Sequence, residues 1–321
     1  MESISKNSIE KIILENYIEY QNLFVEFQSQ FLSGLHSRYQ SLENGSLVLY
    51  YARQTHQDIL RKKDYDLNFN LNYEKFWHNH RDTKSPRASI IKIGEDIFLP
   101  KETTRRKILQ LIKQKILGKK NKNIGWFPSE EYKQSYNLFT SKEINEVSKL
   151  ICFICEKKNL SISKEEVGKE VKEKFSFYWF HYLGAQLQYL KLWSIQFKDV
   201  ELILIFLKVA RLAASKAKEN KISNNEVYNN PNILKEFVGA SISATSIAEV
   251  TSIPRATCIR KLEILVKLKI IKQDKNTKRY YIISSMTADN LVLRKINAKV
   301  INLFSDFYFI CIRAINTNNR R

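Results

Sequence analysis

Glycine and proline are scarce in this chain, with eight of one and five of the other among 321 residues. That composition excludes a turn-rich all-β architecture and predicts long helices joined by few tight turns. The glycines never form Gly-x-Gly-x-x-Gly or Gly-x-x-x-x-Gly-Lys, so neither a dinucleotide fold nor a phosphate-loop NTPase is supported. Cysteine is limited to Cys152, Cys155, Cys258 and Cys311. Each sits in an apolar helical context and reads as a reduced core residue. Cys152-Phe-Ile-Cys155 has no second pair or nearby histidine to complete a zinc site, and His78-Asn-His80 has no third ligand and reads as a surface loop. No metal and no cofactor is therefore expected. The longest uncharged run, Phe175 to Leu190, is 16 residues with a Ser, a His and two Gln; it is short for a membrane span and reads as a buried helix. The start, MESISKNSIEKI, lacks a secretory pattern. Nothing pairs a nucleophile with a base or clusters carboxylates, so an enzyme is not expected.

Acidic residues are also in deficit, 33 against 53 basic, for a net charge of +20. The excess is concentrated. Residues 89–129 hold 10 basic and 3 acidic side chains, and residues 243–283 hold 9 and 3. Such clustering is the footprint expected of a polyanion partner.

Those two segments are also copies of each other. Residues 99–117 (LPKETTRRKILQLIKQKIL) and 253–271 (IPRATCIRKLEILVKLKII) align without a gap, with eight of nineteen positions identical. Upstream in the same register stand Ser89/Ser243, Ile93/Ile247 and Glu95/Glu249. Each copy reads as a short helix, a turn and a longer helix with proline in its first turn, a helix-turn-helix pattern. Each then runs through an apolar pair, a basic tip and an aromatic pair: Ile116-Leu117, GKKNKNIG and Trp126-Phe127; then Ile270-Ile271, KQDKNTKR and Tyr280-Tyr281. Two short strands about a basic turn would form a wing.

The second copy resembles the winged helix-turn-helix domain of bacterial MarR-type and IclR-type transcription regulators, over roughly 40 residues per copy. The first departs from that pattern with Glu102 and Arg105 where the family has small residues. The resemblance implies two tandem winged helices. Periodicity alone places Thr104, Ile108 and Leu111, and Cys258, Leu262 and Leu265, on the core face of the longer helix. The remaining surface then offers Lys101, Thr103, Arg105, Arg106 and Lys107 in copy one, and Arg255, Ala256, Thr257, Ile259, Arg260 and Lys261 in copy two. Arginine can read guanine edges in a major groove, and Ala or Ile can touch a thymine methyl. The wing tips add Lys119, Lys120 and Lys122, and Lys275, Lys278 and Arg279, suited to the phosphate backbone or minor groove.

Fainter matches at a shift of 158, such as Gln28/Gln186, Gln30/Gln188, Leu32/Leu190 and Arg53/Arg211, extend the duplication outward. The fold expected is mostly α, two tandem winged helix-turn-helix domains with helical hairpins, related as a pseudo-two-fold internal duplication. The first repeat is expected over 1–140, with its winged helix at about 85–130. The second is expected over 141–321, with its winged helix at about 232–285 and a C-terminal helix at about 287–314. Residues 128–140 and 157–166 are the hinge candidates, and a trailing helix is expected at 141–157. The aromatic run 175–183 (FSFYWFHYL) reads as core filling; a pocket for a small-molecule effector there has no other support. The function expected is a sequence-specific, double-stranded-DNA-binding transcription regulator, cytoplasmic and nucleoid-associated, with no membrane partner. It would act as an internal pseudo-dimer covering two half-sites about 10 bp apart, or as a homodimer. The alternatives are a plasmid-type replication initiator, which also uses tandem winged helices, and a helical scaffold binding RNA or protein.

Overall fold

The structure, a computed structural model, describes residues 4–66, 69–81, 83, 88–120, 123–220, 240–282 and 291–318. Among these, the chain is mostly helical with two small antiparallel sheets. In order come α1 (Lys6–Glu15), α2 (Tyr17–Tyr39), α3 (Leu42–Tyr65), α4 (Phe76–His80), α5 (Ile90–Ile97), α6 (Lys101–Lys113), β1 (Gly118–Lys120), β2 (Asn123–Gly125) and α7 (Glu130–Lys157). Then follow α8 (Lys164–Glu173), α9 (Phe175–Phe197), α10 (Glu201–Glu219), α11 (Ala244–Thr251), α12 (Arg255–Lys267), β3 (Ile271–Gln273), β4 (Tyr280–Ile282) and α13 (Leu291–Asn318).

Several element lengths recur in step, although α3 and α10, of 24 and 19 residues, do not match. Helices α1 and α8 are 10 residues each, α2 and α9 are 23, α5 and α11 are 8, α6 and α12 are 13, and α7 and α13 are 28. The sites of left-handed backbone recur too, all at non-glycine residues: Gln40 and Lys198, Phe98 and Ser252, Lys115 and Lys269. Serine hydroxyls cap the starts of many helices, where Ser5, Ser41, Ser89, Ser129, Ser163 and Ser243 each accept an amide of the first turn. Each cap satisfies a donor that the helix itself leaves open. Pro100 and Pro254 fill the cap positions of α6 and α12, one residue outside the first turn that the sequence suggests.

The chain forms two compact units, and they do not follow the expected sequential division at 140/141. One comprises residues 1–40 and 196–305; the other comprises 41–195 and 306–321. Apolar periodicity records that a helix face is buried without naming its partner, and here the arms of the expected hairpins take partners from the other half of the sequence.

In the first unit α10 lies along α2. The buried Lys208 amine donates to Ser33 Oγ at 2.7 Å and to Ser29 Oγ at 2.9 Å, and burial lowers its pKa to about 8. Phe24 and Phe304 meet edge to face at 4.8 Å. The same α10 supports α11, α12 and β4. Strands β3 and β4 pair antiparallel from Ile271↔Ile282 to Gln273↔Tyr280, and Ile242 bridges to Tyr280 on the other edge.

In the second unit α3 supports α5 and α6. It meets α9 where the Arg53 guanidinium lies over the Phe180 ring at 4.2 Å and beside Gly184. Phe175, Tyr178, Trp179, Tyr182 and Leu183 are buried, as core filling requires. His78-Asn-His80 is not a surface loop: it lies in α4, where His78 is exposed but His80 is buried and its Nε2 sits 2.5 Å from Trp126 O. Phe76, Trp77, Trp126 and Phe127 pack around it, and burial lowers the His80 pKa to about 4. All four cysteines are buried and unbridged.

Residues 128–140 are no hinge. Ser129 caps α7, which absorbs the whole stretch from Glu130; two acidic residues in its first turn, Glu130 and Glu131, favour that start. The second candidate, 157–166, connects α7 and α8 inside one unit, with Asn159 left-handed, and its ends belong to those helices. In the first wing β1 and β2 pair Gly118↔Gly125 and Lys120↔Asn123, so most of the expected tip is itself strand. Residues 85–87, 232–239 and 283–290 of the expected boundaries lie outside the described residues.

A tight contact fixes the turn between α5 and α6. A Cβ placed on Gly94 would stand 2.6 Å from Leu99 O and 3.0 Å from Thr104 Oγ1, so the backbone of the turn approaches as only glycine allows. Gly94→Ala should destabilise the protein by about 1–3 kcal/mol through forced backbone movement, measured by denaturant unfolding. An unchanged midpoint would contradict that contact.

Candidate nucleic-acid interface

A helix turns roughly 100° per residue, so Thr104, Ile108 and Leu111 share one stripe of α6, and Cys258, Leu262 and Leu265 share the same stripe of α12. All six are buried. The opposite stripe holds Glu102, Arg105, Arg106 and Leu109 in α6, and Ala256, Ile259, Arg260 and Glu263 in α12. Of these only Ile259 is even half-buried. Lys101 and Arg255 open the two helices and are exposed, while Thr103 and Thr257 are half-buried on the flank. The guanidinium groups are engaged differently. Arg105 Nε pairs with Glu102 at 3.0 Å within its own helix, whereas Arg255 Nε donates to Thr245 Oγ1 at 3.0 Å on α11.

Lys107 and Lys261 do not join that exposed face. Each lies about 60° from the buried stripe and turns toward the start of the supporting helix. Lys107 Nζ reaches Glu43 at 2.7 Å and Ser41 Oγ at 3.2 Å, at the head of α3. Lys261 Nζ reaches Asp199 at 2.5 Å and Glu201 at 3.3 Å, at the head of α10. Its side chain is only 6% exposed against 12% for Lys107, so the second tie is the better shielded and the costlier to break. A second contact reaches Glu201 from α2, where His36 Nε2 lies 3.6 Å from it. The His36 imidazole beside it holds the Glu201 carboxyl below its usual range, with burial opposing and the Lys261 charge assisting. Identity between the copies marked both lysines as important, but charge alone could not tell a reader from a tie.

The two strand pairs expected as wings differ in construction. In the first, Lys119 and Lys120 are exposed on β1, and Lys122 lies outside the described residues. In the second, Asp274 organises the tip by accepting from Thr277 N at 2.6 Å, Thr277 Oγ1 at 2.8 Å and Asn276 N at 3.0 Å. These bonds, the Thr277 amide foremost, hold the Asp274 carboxyl below its usual range. Lys275, Lys278 and Arg279 are exposed around it, with Lys278 left-handed and Arg279 anchored through Nε and Nη2 to Ser241 O.

Further exposed cations accompany these in each copy. Lys113 ends the first helix and Lys115 follows it; Lys267 ends the second, and Lys269 and Lys272 follow. Their signal was in the sequence, since Lys113/Lys267 and Lys115/Lys269 are identities of the repeat. In each unit the exposed face of α6 or α12 and the hairpin after it thus present a cluster of cationic donors. Among the described residues no cluster of His, Cys, Asp or Glu could hold a metal ion, and no helix is long and apolar enough to cross a membrane.

Two stability effects follow from the ties. Lys261→Ala should cost about 1–3 kcal/mol, below the 3–5 of a wholly buried pair because Asp199 and Glu201 stay partly hydrated; Lys107→Ala should cost under about 1 kcal/mol. Equal costs in denaturant unfolding would contradict the difference in shielding. Because the folded pKa of Glu201 is depressed, its stabilisation is present above the ordinary carboxylate value of about 4.3 and is lost as pH falls through the folded value. Glu201→Gln should therefore flatten the acid limb of stability against pH; an unaltered limb would count against this network. Comparison with known family models, curated proteins and solved structures finds no match to this chain, so the functional reading rests on this geometry and on the repeat.

Proposed function

We propose that this chain is a sequence-specific double-stranded-DNA-binding protein acting as a transcription regulator, built from two copies of one winged helix-turn-helix unit with its supporting helices. The observation that carries the reading is the shared geometry of α6 and α12. Each buries one apolar stripe, ties its lysine inward to the supporting helix, and leaves Arg106 or Arg260 at the same outward position. A helix docked at a fixed roll with arginine on its free face can enter a major groove and donate two hydrogen bonds to a guanine edge. The matched element lengths and matched left-handed residues support two copies of one unit. The bridge of Ile242 to Tyr280 and the basic β3–β4 tip support a wing beside the second helix.

The copies should not be equivalent on DNA. In α12 the outward stripe carries Ala256 and Ile259, which can pack on thymine methyl groups, and an arginine free of intrahelical acid pairing. In α6 those positions carry Glu102 and Arg105, joined to each other. The second copy therefore supplies more of the sequence choice and the first more of the backbone contact.

Binding of the full chain to selected and random duplexes across a salt series tests this reading. Arg260→Ala should lose about 1–3 kcal/mol on the selected duplex and little on random DNA. Arg106→Ala should weaken both alike and reduce the salt slope by about one ion. Equal affinity of both variants and the parent for every duplex, or no preference of the parent for duplex DNA over other polyanions, would sink the proposal and favour a scaffold.

A further inference from the structure

The outward stripe of α12 places a cation, two hydrocarbon side chains and a carboxylate side by side. Arg260 is exposed, and its guanidinium has no partner among the described residues. Ile259 precedes it, turned away by about 100°, and Ala256 lies between the two, one turn earlier. Ile259 is half-buried and Ala256 is exposed, so both leave hydrocarbon in contact with water. One turn beyond Arg260, the exposed Glu263 completes the stripe. A phosphate approaching Arg260 there would meet a like charge in Glu263. A base edge would not, and the carboxylate can accept from the amino group of the cytosine paired to a guanine. Arg260 is therefore suited to a guanine edge more than to the backbone.

The hydrocarbon part of the stripe selects the neighbouring base. Among the groups that bases show in the major groove, the 5-methyl of a pyrimidine is the apolar one. A pyrimidine on the 5′ side of a guanine sets its methyl beside that guanine's O6 and N7. A guanidinium bidentate on the guanine and an aliphatic side chain next to it then close over the methyl together. Thymine always carries this methyl, and cytosine carries it when methylated. Lys261, tied to Asp199 and Glu201, fixes the roll that keeps Ile259 and Arg260 on this side. The matched positions of α6 hold Glu102 and Arg105, which pair with each other at 3.0 Å, so that copy offers charge where α12 offers hydrocarbon.

Resting on the DNA-binding reading above, we propose that α12 recognises a 5-methylpyrimidine followed by guanine, taking TpG and methylated CpG alike, so that cytosine methylation creates sites for this chain. Selection of duplexes from a randomised library on the full chain, followed by affinity measurements on the most enriched duplex, tests it. The guanine read by Arg260 is the one whose replacement by 7-deazaguanine weakens the parent but not Arg260→Ala. Deoxyuridine in place of the thymine 5′ to that guanine removes one methyl and should weaken binding about fourfold. Ile259→Ala should shrink that penalty, and the same exchange in the half of the site under α6 should change little. Replacing the T·A pair by C·G should weaken binding likewise, and 5-methylation of the new cytosine should restore most of the loss. No guanine that depends on Arg260, no loss with uracil beside it, a uracil penalty that Ile259→Ala leaves intact, or weaker binding on methylation would overturn the proposal while DNA binding stands. Failure to enrich any duplex would overturn the DNA-binding reading and this proposal together.

Discussion

A lysine seated just beside the buried stripe of α6 and α12 sets how each helix rolls on its support. Lys107 meets Glu43 and Ser41 at the head of α3, and Lys261 meets Asp199 and Glu201 at the head of α10. Apolar packing alone would leave the roll loosely defined, since hydrophobic contact is not directional. A charge pair with short, fixed partners is directional, and a carboxylate in the first turn of a supporting helix is itself favoured there by the helix dipole. With the roll fixed, Arg106 and Arg260 are carried outward by helix geometry and need no support of their own. The proposed recognition surface is therefore a consequence of an inward contact, and the two ties differ in strength because one is shielded more than the other.

Much of this was legible in the sequence because it is local. The stripe Cys258, Leu262 and Leu265, the caps at Ser89 and Ser243, and the strands of the second wing each depend on residues within a few positions of one another. Other features depend on contacts between residues far apart, and there the sequence misled. That α2 lies along α10 within its unit, and α3 against α9 within the other, could not be read from periodicity, which reports a buried face and not its cover. His80 looked like a loop residue because a single histidine between polar neighbours carries no sign of Trp126 O beside it. Lys107 and Lys261 looked like DNA contacts because a lysine's long stem can deliver its charge to either side of a helix. The polar stretch at 128–140 looked like a hinge, yet Ser129 and the acidic pair after it form a strong helix start.

Divergence between the copies carries as much information as their likeness. Glu102 facing Arg105 in α6 and Ala256 beside Ile259 in α12 present different chemistry at matched positions. Asp274 organises the β3–β4 tip through three accepted hydrogen bonds, whereas only two residues separate β1 from β2. A chain that carries both copies can change either without changing the other, which a homodimer cannot do.

Under the proposed function, that freedom lets the two copies in one chain serve a single DNA site with unlike halves. The mass of the complex formed on one minimal selected duplex, measured together with a base-by-base substitution scan of that duplex, tests it most directly. The account predicts one chain per duplex and unlike base preferences in the two halves of the site. Two chains on a palindromic duplex, each contributing the same preference, would contradict it.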